Sequence, residues 1–244
     1  FRNLRTKKEN LLMKRILITG GSGLLGLNWI LDRREKDKVH YFLNKKYISV
    51  KGAEGHFVNF ENNKEIEHFI DKIKPDFLVN TIGITDIEFC EKNKDYAIKY
   101  NANLASFLSE ISYKNNIKFI HISTDHLFDG KQSFYAEDAK TNPLNTYGIS
   151  KMMSEKLILK NNPNALIIRT NFFGWGPSYR ASISDKIISG INNKNNYDGF
   201  ENIFFTPIST KKLIDLSHQL IDKNISGIIN ICSSTRLSKY EFAV

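Results

Sequence analysis

Cysteine is scarce in this chain: Cys90 and Cys232 are its two thiols, and they stand far apart. So few cysteines exclude a disulfide scaffold and fit a reducing compartment, which makes the cytoplasm the expected location. Long hydrophobic runs are missing too. Nothing approaches the roughly 20 apolar residues of a membrane span, and the leading FRNLRTKKENLLM holds no signal-peptide core, so no membrane association is expected. Acid is the minority charge, with 26 Asp and Glu against 35 Lys and Arg and a formal net charge of +9. A basic balance can mark binding to nucleic acid or an anionic membrane, but here it is concentrated at one end. Residues 1–15 contain Arg2, Arg5, Lys7, Lys8, Lys14 and Arg15 against Glu9 alone, so they carry +5 and the other 229 residues only +4. Met13 is followed at once by the first apolar strand. The sequence therefore predicts a folded unit starting there, with residues 1–12 as a disordered basic extension: an upstream segment, a tag or a mistranslated leader. What the chain does have is a globular make-up, 41% hydrophobic and 25% charged over 244 residues, enough for one sizeable core. That excludes a disordered tail protein.

Short apolar runs alternate with longer helical patterns through most of the length. The runs Ile16–Thr19, Val39–Leu43, His56–Val58, Phe77–Asn80, Ile117–Ile122 and Ala165–Arg169 read as strands. Between them Leu24–Arg34, Lys64–Ile73, Lys94–Ser112 and Asn145–Lys160 read as helices, with apolar residues such as Ile98, Ala102, Ala105, Leu108 and Ile111 at three- and four-residue spacing. Apolar strands that do not alternate with polar residues belong in a parallel sheet covered on both faces. The expectation is an α/β fold, a Rossmann-type doubly wound parallel sheet over residues 13–170. After about residue 170 the rhythm loosens, and aromatic and glycine residues crowd together in Asn171–Pro177. One helix, a short strand near Ile203–Phe205, a helix from Ser209 and a last strand at Gly227–Ile231 follow. Residues 171–244 are thus expected to supply a small substrate-binding lobe and the last sheet strand. No stop signal closes the final helix, so the chain reads as cut short at its C-terminus. No internal repeat is visible, and the Asn/Lys-rich Asn192–Asn196 reads as a surface loop.

Arg15-Ile-Leu-Ile-Thr-Gly20-Gly21-Ser22-Gly23-Leu24-Leu25-Gly26 is an apolar strand, a glycine turn and a helix start. Gly20, Gly23 and Gly26 give a tight turn, close approach of backbone to a pyrophosphate, and close helix–strand packing. The N–H groups opening the helix then face the anion. Three glycines alone could be a plain turn; set between strand and helix they point to a dinucleotide. An NAD site usually has Asp or Glu at the end of the second strand for the ribose 2′-hydroxyl. Here Asn44-Lys45-Lys46 offers cations instead, which favours a 2′-phosphate and hence NADPH over NADH; the alternative is two solvated lysines on a loop.

Tyr147 and Lys151 stand at i and i+4, on one face of a helix. A phenol normally titrates near 10, too high for acid–base work at neutral pH, and a lysine ammonium one turn away is expected to lower it. The strand Ile120-His121-Ile122 runs into Ser123-Thr124-Asp125, placing hydroxyl and carboxylate groups where ligands sit in open parallel sheets.

Together the runs TGGSGLLG, NTIGIT (80–85), ISTDHLFDG (122–130), PLNTYGISKMMSE (143–155) and RTNFFG (169–174) resemble an extended short-chain dehydrogenase/reductase. Within that superfamily the chain most resembles the dTDP-4-dehydrorhamnose reductase family of nucleotide-sugar reductases. The resemblance covers Met13 to Val244, including the closing Arg236-Leu-Ser-Lys-Tyr-Glu-Phe-Ala. It implies an NAD(P)H-dependent oxidoreductase acting on a keto group, C4 first, of a nucleotide-linked deoxysugar. Tyr147 would protonate the reduced oxygen, Lys151 would tune it and hold the nicotinamide ribose, and Thr124 would hydrogen-bond the substrate oxygen. Asp125 and Phe172 fall at substrate-contact positions. Gly23, Leu24 and Leu25 would lie along the pyrophosphate, with Gly20 and Gly26 shaping the turn. Asn44 and Lys45 would meet the adenosine ribose, Asn59 and Phe60 would flank adenine, and Gly83, Ile84, Thr85 and Ile122 would line the cofactor cleft.

His126 departs from the pattern, standing where the family usually has Tyr, and it could touch substrate or merely pack. A nucleotide-sugar dehydratase would have Asp-Glu after Thr124; Asp125-His126 lacks the Glu. An epimerase of the same superfamily and a non-catalytic, NADP-binding regulatory subunit are the alternatives. With the excess charge in the first residues, no nucleic-acid partner is expected. The oligomeric state stays open, a homodimer included. His40, His56, His68, His121 and His218 show no ligand spacing, so no metal is expected.

Overall fold

The computed structural model describes residues 13–193 and 199–244. The expected basic extension, residues 1–12, lies outside the described residues, as do 194–196 of the expected loop. Asn192 closes a helix instead.

The first part of the chain alternates strands with helices, except that β2 passes directly to β3: β1 Arg15–Thr19, α1 Leu24–Arg33, β2 Lys38–Leu43, β3 Ala53–Phe57, α2 Asn63–Ile73 and β4 Phe77–Asn80. Two short helices, α3 Ile87–Lys92 and α4 Lys94–Ile98, lead through a π turn at Lys99–Asn103 into α5 Leu104–Lys114. Then come β5 Lys118–Ile122, a single 3₁₀ turn at Asp125–Leu127, α6 Thr146–Asn161 and β6 Leu166–Arg169. With β10 Gly227–Asn230 from the C-terminal part, seven strands form one parallel sheet in the order β10-β6-β5-β4-β1-β2-β3. The chain reverses direction of travel across the sheet between β1 and β4, and at such a switch point the loops part to leave a crevice at the strands' carboxyl ends. This is the Rossmann-type fold.

Alternation along β1 builds the two core layers. Ile16 and Ile18 face one side with Trp29 of α1 and Tyr41 of β2, while Leu17 faces the other with Phe42, Phe119 and Ile66 of α2. All eight of these side chains are fully or almost fully buried.

The C-terminal part serves two places. β7 Phe172–Phe173 pairs with β9 Ile208–Ser209, and β8 Phe204–Phe205 pairs with β11 Leu237–Ser238; with α7 Ile183–Asn192 and α9 Lys239–Ala243 they form a small lobe. α8 Thr210–Asp222 returns to the sheet, where Leu213 and Ile214 join the core layer of Trp29. β10 Gly227–Asn230 then pairs with β6 as the last sheet strand.

Two of the expected elements take a different course, and α3 and the short strands β7, β9 and β11 come in addition. The third strand is Ala53–Phe57 rather than His56–Val58, an edge strand with four of its five residues in contact with solvent, so no apolar run announces it. The single helix expected over Lys94–Ser112 is broken by the π turn, where Asn101 turns inward to bond a neighbouring loop. Among the described residues no helix is long and apolar enough to cross a membrane.

Candidate functional site

At the carboxyl end of β1 the glycine turn is built as its spacing requires. Gly20 has φ +74°, a left-handed conformation that side chains resist, and its carbonyl accepts the Gly23 N–H at 2.9 Å. A Cβ on Gly26 would lie 2.4 Å from the Gly20 carbonyl oxygen, so only glycine lets α1 press on the turn. No side chain caps α1, which leaves the first N–H groups of the helix, those of Leu24 and Leu25, open toward the crevice. A cradle of this shape, with helix N–H groups at its floor, fits a pyrophosphate.

Around it stand the other expected cofactor residues. Asn44, Lys45 and Lys46 are exposed just beyond β2, with the Lys46 ammonium 4.5 Å from the Tyr179 ring centre. Asn59 is exposed beyond β3, whereas Phe60 is buried in the second core layer beside Phe42. Gly83 and Ile84 are half-buried and Thr85 exposed on the loop after β4. Asn101 pins that loop: its carbonyl accepts the Ile84 N–H at 2.7 Å while its amide donates to the Ile84 carbonyl at 3.0 Å and to Ser150 Oγ at 2.9 Å. A segment of the C-terminal lobe reaches across to the same crevice. Tyr179 Oη donates to the Ser22 carbonyl at 2.6 Å, and Arg180 reaches Thr85 Oγ1 at 3.3 Å.

The structure brings Thr124, Tyr147 and Lys151 together at the end of β5. All three are buried. Asn145 caps α6 by accepting the Gly148 N–H at 2.8 Å. Gly148 itself allows the close approach of α6 to the 3₁₀ turn, since a Cβ there would meet the His126 carbonyl oxygen at 2.5 Å. Thr124 Oγ1 accepts the His126 N–H at 3.2 Å and donates to Asp125 at 3.3 Å.

One electrostatic expectation is overturned. Burial pushes the Tyr147 phenol up to about 12, with the Asp125 and Cys90 charges adding to it and the Thr124 hydroxyl opposing. Lys151 does not lower it. Its Nζ donates to the Ile122 carbonyl at 2.7 Å and lies 2.9 Å from His121 Nε2, and burial brings the ammonium down to about 7. The lysine stem is long enough to reach beneath Tyr147 to the strand, where it finds a carbonyl rather than the phenol.

His121 was not singled out by spacing, yet it sits under the whole site. The ring is fully buried; Nδ1 is 3.0 Å from Asn80 Nδ2 and Nε2 is 3.2 Å from Ser154 Oγ, and burial holds the imidazole well below its ordinary pKa. With Asn80 donating to Nδ1, the network assigns the proton to Nε2. The signal available was a histidine in the middle of an otherwise apolar central strand. A second buried device holds the next strand: Arg169 grips Glu155 with Nε and Nη2 at 3.0 and 2.8 Å, and Ser123 Oγ donates to Glu155 at 2.6 Å.

Beside Thr124 and Tyr147 opens a cavity of about 380 Å³ lined by Asp125, His126, Phe128, Asn171, Arg236 and Lys239, among others. The His126 ring packs edge-on to Tyr147 at 5.6 Å, and the residue also lines the cavity. Phe172 does not line it. Its two-residue strand pairs with β9 and turns the ring onto the core, and the neighbouring Asn171 faces the cavity instead, donating to Asp125 at 2.9 Å. Spacing gave no metal ligands, yet strand pairing brings His40, Glu54 and His56 together with ligand atoms within 4.8 Å of one another.

Comparison with known proteins agrees with this fold. The family model for the RmlD substrate binding domain matches residues 13–244. The spore coat polysaccharide biosynthesis protein SpsK of Bacillus subtilis is 28% identical over 233 residues, covering 95% of this chain and 77% of that one. The methionine adenosyltransferase 2 subunit beta of Bos taurus is 27% identical over 248 residues, covering 97% of this chain and 72% of its own length. Among solved structures, a hypothetical dTDP-4-dehydrorhamnose reductase from Sulfolobus tokodaii superposes with a TM-score of 0.83 at 30% identity, over 94% of this chain and 80% of that one.

Proposed function

The chain belongs to the RmlD substrate binding domain family, and from that membership we propose that it is an NAD(P)H-dependent reductase of a keto group, C4 first, on a nucleotide-linked deoxysugar. The observation that carries the reading is the buried meeting of Thr124, Tyr147 and Lys151 between the glycine cradle and the cavity.

A bound nicotinamide supplies the hydride for the keto carbon. Everything else falls to this chain's own side chains. Thr124 and Tyr147 hold the keto oxygen, and the Tyr147 hydroxyl gives it the proton that completes the alcohol. A phenol held at about 12 is protonated throughout the physiological range, which is the form an acid needs. Lys151 would hold the ribose and return the proton to Tyr147. Arg236 and Lys239, which cover the aromatic faces of Phe204 and Phe205, bring two cations to the cavity wall, where a pyrophosphate-linked sugar would place its charge. Lys45 and Lys46, exposed beyond β2, favour the 2′-phosphate of NADPH over NADH.

The test is a panel of nucleotide-4-keto-sugars assayed with NADPH and with NADH. Tyr147→Phe should lower kcat by about 10²–10⁴-fold, the usual worth of a positioned acid, with the cofactor Kd nearly unchanged. Full turnover in that variant would overturn the assignment. The likeness to a subunit of methionine adenosyltransferase favours a second reading, a cofactor-binding subunit without sugar chemistry. Tight cofactor binding with no turnover on any member of the panel would select it.

A further inference from the structure

We propose that His40, Glu54 and His56 form a binding site for a divalent transition-metal cation of the zinc class, clamping the edge of the sheet. The residues come together through strand register. β2 and β3 run parallel with His40 opposite Glu54 and Phe42 opposite His56. Side chains two apart share a face, so all three ligands project to the same side of the sheet from adjacent strands.

The distances suit a small ion. His40 Nδ1 and His56 Nε2 are 3.1 Å apart, Glu54 Oε2 is 3.5 Å from His40 Nδ1, and Glu54 Oε1 is 3.8 Å from His56 Nε2. Ligand bonds of about 2.0–2.1 Å in a tetrahedron separate the ligand atoms by about 3.3–3.4 Å, a spacing the triangle brackets. The two rings lie within 21° of coplanar with centroids 5.4 Å apart, joined end to end by one N–H···N bond. An ion would replace that shared proton, sitting off the N···N line toward Glu54. The displaced proton moves to the other nitrogen of its ring, for which the described residues offer no competing partner. Water would take the fourth position, since Glu54 stands at the surface.

Charge argues in the same direction. Glu54 turns to the two imidazoles and makes no ion pair with Lys or Arg among the described residues. Both rings are buried, and each can turn a lone pair to an ion beside the carboxylate. A divalent cation supplies the missing charge. Lys38 and Arg15 near His40 and Lys72 near His56 oppose it, and limit the affinity. Two imidazoles with one carboxylate suit zinc, cobalt, nickel or copper; magnesium and calcium prefer oxygen throughout. The walls are preformed: the His56 ring packs 5.2 Å from Phe69 and meets Phe42 edge-on at 6.4 Å.

The experiment titrates the chelator-treated full chain with Co²⁺, followed by its visible d–d bands, and with Zn²⁺, followed by the thermal midpoint. One equivalent of Co²⁺ should give the intense bands of a four-coordinate ion, Zn²⁺ should displace them, and one equivalent of Zn²⁺ should raise the midpoint. His56→Asn should abolish the bands. Glu54→Gln, at an exposed position where folding is not at stake, should weaken Co²⁺ binding at least about ten-fold, while the far-ultraviolet spectrum stays native. Absence of stoichiometric Co²⁺ bands in the native chain, or bands of undiminished affinity in Glu54→Gln, would overturn the proposal.

Discussion

Lys151 is the residue whose state decides how the cofactor would be held. Buried against His121 and the Ile122 carbonyl, it loses its proton at about 7 rather than at its ordinary 10.5. Below that pH it is an ammonium ready to donate to ribose hydroxyls; above it, folding alone leaves an amine. A ligand that prefers the ammonium must raise the pKa, so binding above pH 7 draws a proton from solution and weakens as pH rises further. Calorimetry of NADPH binding at pH 8 should therefore give an enthalpy that changes with the ionisation heat of the buffer, reporting proton uptake. Lys151→Met should remove that dependence. A buffer-independent enthalpy in the native chain would show that Lys151 keeps its proton without the ligand. The Tyr147–Lys151 pair was legible from a four-residue spacing because that spacing fixes a helical face. The direction of the lysine was not, because it depends on a carbonyl 29 residues away.

At the level of elements, the π turn between α4 and α5 links α6 to the loop after β4. Adding one residue to a helical turn swings Asn101 inward, and its amide then satisfies both backbone groups of Ile84 and reaches Ser150 on α6. Asn101→Ala would leave the buried Ser150 hydroxyl and the Ile84 peptide short of partners. It should cost on the order of 1–3 kcal/mol, read as a lower denaturant midpoint at unchanged slope, and weaken cofactor binding through the freed loop. An unchanged midpoint would mean the turn holds without that side chain. Sequence reasoning reached β1, its glycine turn and α6 because their signals are local: an apolar run, glycine spacing, an Asn cap. It read 94–112 as one helix because the apolar period continues through the turn, and the bond that breaks it spans 17 residues. The polar β3 escaped for the converse reason, since an edge strand need not be apolar. Phe172 and the His40–Glu54–His56 group depend on which strand lies beside which, and neither has a period to read.

Across the whole molecule, the C-terminal part is joined to the sheet through α8, and the joint holds a buried histidine. His218 lies between α1 and β4: Trp29 Nε1 donates to its Nε2 at 3.1 Å, and the Phe77 ring meets it edge-on at 5.6 Å. An indole N–H can only donate, so the imidazole must present a lone pair and stay neutral. Burial first, then the Arg33 and Lys14 charges, lower its pKa from 6.5 to about 4, with Asp222 and Asp32 opposing. The unfolded chain takes up the proton at 6.5 and the folded chain at about 4, so between those values the unfolded state binds more protons. Stability supplied by the neutral ring is therefore complete above pH 6.5 and lost as the pH falls toward 4, up to on the order of 3 kcal/mol. His218→Gln keeps an acceptor for Trp29 and removes the titration. Urea unfolding at pH 7 and at pH 4.5 should show a smaller loss on acidification in His218→Gln than in the native chain, whatever the variant's absolute stability. Part of the loss should persist, because His121 is also buried neutral and must charge on unfolding. Equal losses in the two proteins would mean that the joint opens before His218 protonates, placing the weakest point under acid in the α1–α8 packing itself rather than in the ring it encloses.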